Sequence, residues 1–192
     1  MMMTKISPKK EQILTTSAHL LATKGGVNFS MRTVAEEMGM RLSNLQYYFP
    51  TLEKLFTALV ENILLLVERK ITSALKSDAE PMKILIDIVC SELDDVYNCQ
   101  LMWEIWALSE RTEEAHQAIA LFYQEYIKKI ATLIHIQNPT LNSDNIQRRA
   151  LIIVSLLEGV WVVIGKKRPN IELDKIKADL QHTIDLIINS SC

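Results

Sequence analysis

The sequence predicts an all-α protein of about nine helices, and three observations predict it. Apolar residues recur every three or four positions along almost the whole chain, few segments alternate as a strand would, and only five glycines punctuate 192 residues. A hydrophobic content of 48% is ample for a buried core, in one domain or two small ones. No internal repeat or low-complexity stretch interrupts the pattern.

Ser7 and Pro8 suit the N-cap and first position of an opening helix, whose stripe Ile13, Leu14, Ser17, Leu20 and Leu21 ends at Gly25 and Gly26. Ser30 caps a second helix from Met31, with Val34, Ala35 and Met38 on one face. Gly39 ends it, because glycine adopts the left-handed conformation of a helix C-terminus without steric cost. A third helix restarts within a few residues and stops before Pro50, which disfavours helical backbone at Phe49. Counted from Met31, Ala35 is fifth, Gly39 ninth and Leu45 fifteenth. The small residue lets two helices touch, the glycine turns the chain, and the leucine anchors the third helix inward: the geometry of a helix-turn-helix.

Thr51 caps a long connector through Leu52, Leu55, Phe56, Leu59 and Val60 to about Lys76. Pro81 opens a helix through Ile84, Leu85, Ile88, Val89, Leu93 and Val96, and a shorter one follows at about 100–109. Thr112 caps the next, with Ala115, Ile119, Phe122, Tyr126, Ile130, Leu133 and Ile134 at helical spacing up to Asn138-Pro139. Ser143 caps another that runs to about Lys167, where Pro169 ends it, and the last spans about 172–190. The expected division is a head at 1–52 and a helical body at 53–192, with 53–76 as connector.

The third helix leaves Ser43, Asn44, Gln46 and Tyr47 on a polar face, side chains that read base edges or grip phosphate. Arg32, Thr33, Arg41, Leu42, Tyr48, Thr51 and Lys54 complete the expected DNA-facing set, Lys54 standing in the first turn of the connector. The order Ile13-Leu14, Leu20-Leu21, Gly25, Ser30, Val34-Ala35, Gly39, Leu45, Tyr47-Tyr48-Phe49 and Lys54-Leu55 resembles the DNA-binding domain of TetR-family transcriptional regulators, over about residues 8–56. Two departures stand out: Arg41 occupies the place of a small hydroxyl residue, and Gln46 that of the first aromatic in the family's Leu-Tyr-Tyr-His-Phe run. Arg41 removes a cap from the recognition helix and adds a charge beside the DNA backbone, so the operator is not carried over from a relative.

Charge is divided along the chain. Residues 1–56 hold seven basic and four acidic side chains, a net of +3, while the remainder holds 14 basic and 19 acidic, a net of −5. A basic head on an acidic body attracts phosphate on one side and repels it from the other. Cys90, Cys99 and Cys192 include no close pair and no histidine at ligand spacing, so neither a metal site nor a disulfide framework is expected. The start of the chain lacks the apolar core of a signal sequence, which makes a reducing cytoplasm the expected location. Residues 150–165 are strongly apolar but too short to span a bilayer and carry Glu158 near the middle, so a buried helix is expected there and no membrane partner. No glycine-rich phosphate loop, serine elbow or paired-histidine motif suggests an enzyme, and no cofactor is expected.

Helix 143–167 is apolar nearly all round and must be covered on more than one side. A second copy is the expected cover, through a four-helix bundle using Ile153, Leu156, Leu157, Val160, Trp161 and Ile164 with Leu180, Ile184, Ile187 and Ile188, which is also where TetR-family proteins dimerise. Tyr97, Met102, Trp103, Trp106, Phe122, Tyr126 and Trp161 concentrate aromatic and soft apolar surface in the body, the usual lining of a small-molecule site, although aromatics at helical spacing mostly fill cores. Glu104, Glu158 and His116 could orient a polar or cationic ligand there. The resemblance implies a repressor that binds an inverted-repeat operator as a dimer and is released by an unidentified small-molecule effector. The alternative is a helix-turn-helix that serves as a protein-interaction module without specific DNA binding.

Overall fold

The computed structural model describes residues 7–75, 80–93, 95–164 and 172–190. Nine helices are present among them: α1 (Pro8–Lys24), α2 (Met31–Glu37), α3 (Leu42–Tyr48), α4 (Leu52–Leu75), α5 (Pro81–Leu93), α6 (Val96–Ser109), α7 (Glu113–Gln137), α8 (Ser143–Ile164) and α9 (Leu173–Asn189). The described chain forms two compact units, Met1–Ile63 with Gln100–Ala120, and Leu64–Cys99 with Leu121–Cys192. Among the described residues no helix is long and apolar enough to cross a membrane, and no group of three or more His, Cys, Asp or Glu side chains could hold a metal ion.

Side chains expected to start helices mostly do so. Ser7 Oγ accepts from Lys10 N at 3.3 Å, Thr51 Oγ1 from Lys54 N at 3.2 Å, and Thr112 Oγ1 from Ala115 N at 3.2 Å. Two boundaries differ from expectation. Val96 opens α6 instead of closing α5, because Asp95 Oδ1 accepts from Tyr97 N at 2.9 Å and restarts the helix there. Asn142, not Ser143, caps α8: its Oδ1 accepts from Asn145 N at 2.9 Å, and Ser143 is the first helical residue. The expected ends of the connector at Lys76 and of α8 at Lys167 and Pro169 lie outside the described residues.

In the first unit α2 packs on both α1 and α3. Ile13, Leu14, Leu20 and Leu21 of α1 are buried with Val34 and Ala35 of α2, Leu45 of α3 and Leu55, Phe56 and Leu59 of α4. In the second unit α5, α8 and α9 pack together. Their core draws on Leu85, Ile86 and Val89, on Ile153, Leu157 and Trp161, and on Leu180, Ile184 and Ile188. Arg149 lies inside this second core at 5% exposure. Its guanidinium donates to Ile188 O at 2.5 Å and Ser190 O at 2.6 Å, satisfying carbonyls that the end of α9 leaves without helical partners. Asn138 Nδ2 donates to the same Ile188 carbonyl at 3.2 Å. Arg149→Met is expected to cost about 2 to 4 kcal/mol in urea unfolding, because it removes two charge-assisted bonds that tie α8 to the end of α9 and leaves the Ile188 carbonyl with Asn138 alone.

Candidate nucleic-acid interface

The recognition surface is built on a short helix that its neighbours hold in place. Ser30 and Thr33 form a reciprocal cap on α2: Thr33 N donates to Ser30 Oγ at 3.2 Å, and Ser30 N to Thr33 Oγ1 at 2.9 Å. At the other end Gly39 takes φ 60°, and Met40 N donates to Ala35 O at 2.9 Å, closing the turn. A Cβ on Gly39 would meet nothing within 4 Å, so backbone conformation alone calls for glycine.

α3 then offers one residue inward and an arc outward. Leu45 is fully buried, while Ser43, Asn44, Gln46 and Tyr47 are exposed, Tyr47 at 84%. Arg32, Arg41, Thr51 and Lys54 are also exposed; Leu42 and Tyr48 are half-buried. Tyr47 and Tyr48 stand edge to face with centroids 5.3 Å apart. Thr33 departs from its expected part, since its hydroxyl is committed to the α2 cap and to Asn28 O at 2.9 Å. Lys24 pairs with Glu37 at 2.8 Å, tying the end of α1 to α2, and Lys10 sits 5.6 Å above the Phe49 ring, a cation–π contact at the end of α3.

Arg41 is the N-cap of α3 and makes no side-chain cap bond, as its departure from the family pattern implied. Arg41→Ser is expected to raise stability by about 1 kcal/mol, read as a higher urea midpoint with unchanged slope.

The residues expected to form a ligand site are divided between the two units. Met102, Trp103, Trp106 and His116 belong to the first unit, and Tyr97, Phe122, Tyr126, Glu158 and Trp161 to the second. His116 lies on the surface, 4.0 Å from Glu110. Glu104 is occupied by the backbone: its Oε2 accepts from Gly26 N at 2.6 Å. Phe122, Tyr126 and Trp161 are core residues, with Phe122 and Tyr126 rings 6.0 Å apart. Glu158 is half-buried and accepts from the Tyr123 hydroxyl at 3.0 Å. Tyr123 was not singled out in the sequence, although its place three residues before Tyr126 would have put both on one face of α7.

Burial pushes the Glu158 carboxyl up to about 7, against the hydrogen bond from Tyr123, which lowers it. Burial, then the Glu158 charge, raises the Tyr126 phenol well above its ordinary range. The native state therefore holds a Glu158 proton that the unfolded chain releases near 4.5, so this group costs stability as pH rises from about 4.5 to about 7, and the cost is complete above that. Glu158→Gln is expected to be about 1 to 3 kcal/mol more stable than the parent at pH 8, with the difference vanishing in acid. Urea unfolding as a function of pH reads this directly.

The expected dimer contacts need correction. Ile153, Leu157, Ile184 and Ile188 have no exposed surface, and Val160, Trp161 and Leu180 have little: all seven lie mainly in the core of their own chain. Leu156, Ile164 and Ile187 are half-buried. The apolar surface left on α8 is Leu151, Ile152, Val162 and Val163, each about half exposed or more, and α9 adds exposed Leu186.

No sequence-family profile matches the chain. Over 133 residues it is 28% identical to an uncharacterized helix-turn-helix-type transcriptional regulator from the dhlA 5′ region of Xanthobacter autotrophicus, covering 66% of each chain. Over 90 residues it is 29% identical to the nucleoid occlusion factor SlmA of Haemophilus influenzae, covering 46% of this chain and 41% of SlmA. The match thus spans about two thirds of one curated relative and under half of the other. Among solved structures, a TetR-family member from Streptomyces coelicolor superposes with a TM-score of 0.70 at 19% identity, covering 91% of this chain and 98% of that one. A regulator from Saccharomonospora viridis, solved in complex with choline, gives 0.73 at 19% identity over 93% and 96%. Each superposition covers more than nine tenths of this chain, and the chain has the all-helical fold of the TetR-family transcriptional regulators.

Proposed function

We propose that this chain is a sequence-specific DNA-binding transcriptional regulator of the TetR type, not an enzyme, with its head at residues 1–52, its connector at 53–76 and its body over 53–192. The observation that carries this reading is the exposed arc Ser43, Asn44, Gln46 and Tyr47 over the single buried anchor Leu45, on a helix already fixed by the turn at Gly39. The similarity to a helix-turn-helix regulator over 133 residues supports it. Arg32, Arg41, Thr51 and Lys54 flank the arc and would grip phosphate, while Ser43, Asn44 and Gln46 would read base edges.

The protein acts as a homodimer in the cytoplasm. Support comes from α8, where Leu151, Ile152, Val162 and Val163 expose an apolar face on a helix whose other side is already buried in the chain's own core. Two-fold symmetry would set two recognition helices about one DNA turn, roughly 34 Å, or a multiple apart and select an inverted repeat. Repression follows by occupancy of the promoter. A small-molecule effector bound in the body near the Glu158–Tyr123 pair, with buried Phe122 and Tyr126 on the helix of Tyr123 and buried Trp161 on that of Glu158, would shift the connector and lower operator affinity.

Selection from random duplex DNA at two salt concentrations tests the proposal. An inverted-repeat motif is the expected recovery. On that operator Lys54→Ala should weaken binding to all sequences alike and reduce the salt slope by about 1, whereas Gln46→Ala or Asn44→Ala should change base preference by about 1 to 3 kcal/mol at one position of each half-site. Recovery without a motif, or binding indifferent to all three changes, would move the head to a protein-interaction role.

A further inference from the structure

The turn that closes α1 is held from outside the helix-turn-helix. Gly26 N donates to Glu104 Oε2 on α6 at 2.6 Å, the length of a charge-assisted bond. Gly26 O accepts from Phe29 N at 3.3 Å and from Arg111 Nη1, in the link between α6 and α7, at 3.4 Å. Both backbone polar groups of Gly26 are thereby engaged by one segment, residues 104–111. The fit is close. Gly25 takes φ 76°, and a Cβ on Gly26 would lie 3.0 Å from Glu104 Oε2 and 3.1 Å from Leu108 Cδ2, so a side chain at Gly26 would press the Glu104 carboxylate and the Leu108 side chain out of place.

From this turn the path to the recognition helix is short and stiff. Phe29 is buried, Ser30 caps α2, and the Lys24–Glu37 pair ties the end of α1 to the end of α2. α2 and α3 are seven residues each and too short to hold an orientation of their own. The turn also borders free space, a cavity of about 100 Å³ lined by Gly26, Phe29, Leu52, Phe56, Leu108 and Arg111, among others. A turn released from Glu104 therefore has room to relax, and α2 would follow it.

We infer that Glu104 is a positioning residue for DNA binding: its carboxylate fixes the Gly25–Gly26 turn and with it the orientation in which α2 and α3 meet the groove. Loss of this one bond weakens operator binding although Glu104 lies on α6, outside the helix-turn-helix. The inference rests on the DNA-binding function proposed above.

The test uses the full chain and the operator recovered by selection. Glu104→Ala should bind that operator roughly 5- to 150-fold more weakly, the range of linked conformational equilibria, with unchanged helicity and sedimentation. Amide exchange over residues 26–30 should accelerate. Glu104→Gln, whose Oε1 can still accept from Gly26 N, should restore most of the affinity and the protection. Parental affinity in Glu104→Ala, or no rescue by Glu104→Gln, overturns the inference while leaving the DNA-binding function intact. A parent protein that recovers no motif overturns both. Arg111→Ala removes the second hold at an exposed side chain and reads the same latch if Glu104→Ala does not fold; parental affinity there would then overturn the inference.

Discussion

The proposed DNA-binding surface of this chain depends on a helix of seven residues keeping one orientation. An isolated helix of that length is unstable in water, since nucleation costs more than so few hydrogen bonds return. α3 is therefore defined by its supports: the Gly39 turn at φ 60°, the Met40–Ala35 backbone bond, and Leu45 buried without exposed surface. Because only one of its seven residues points fully inward, the rest of the helix is free to carry polar side chains. The same economy leaves it sensitive to whatever displaces α2.

The supports of α2 lie on both of its sides. Its own cap, Ser30 with Thr33, is local, while the turn before it is fastened by Glu104 and Arg111 from a segment more than seventy residues away. The helix-turn-helix is thus pinned by α6 and the α6–α7 link, within one compact unit. The body has its own anchored charges: Arg149 at the end of α9 and the Glu158–Tyr123 pair against α7. Arg149 donates to two carbonyls at the end of α9, a role in stability. Glu158, held in partial burial with its carboxyl raised toward neutrality, keeps a cost above pH 7 that an ordinary core residue would not impose.

Legibility in the sequence followed the range of the interaction responsible. Caps at Ser7, Ser30, Thr51 and Thr112 and the break at Gly39 were readable because a cap bonds three or four residues away. Asp95 and Asn142 were missed although they work in the same way; at Asp95 the apolar spacing from Leu93 to Val96 masked a change of helix, and Ser143 competed with Asn142 for one role. His116 and Glu104 were placed with a ligand by residue type alone, and neither the surface position of one nor the backbone partner of the other leaves a local trace.

The sequence by itself determined the all-helical class, the helix-turn-helix with its outward arc Ser43, Asn44, Gln46 and Tyr47, and most helix ends, because periodicity, glycine and capping residues act within a turn or two of chain. Tertiary structure decided which side of α8 is core. That helix is apolar nearly all round, so its periodicity holds no information to choose between Ile153, Leu157 and Trp161, which α5 and α9 cover, and Ile152, Val162 and Val163, which they leave exposed. It also decided the partners of Glu104 and Glu158, which stand 78 and 35 residues away along the chain, distances over which only packing brings a carboxylate to its donor.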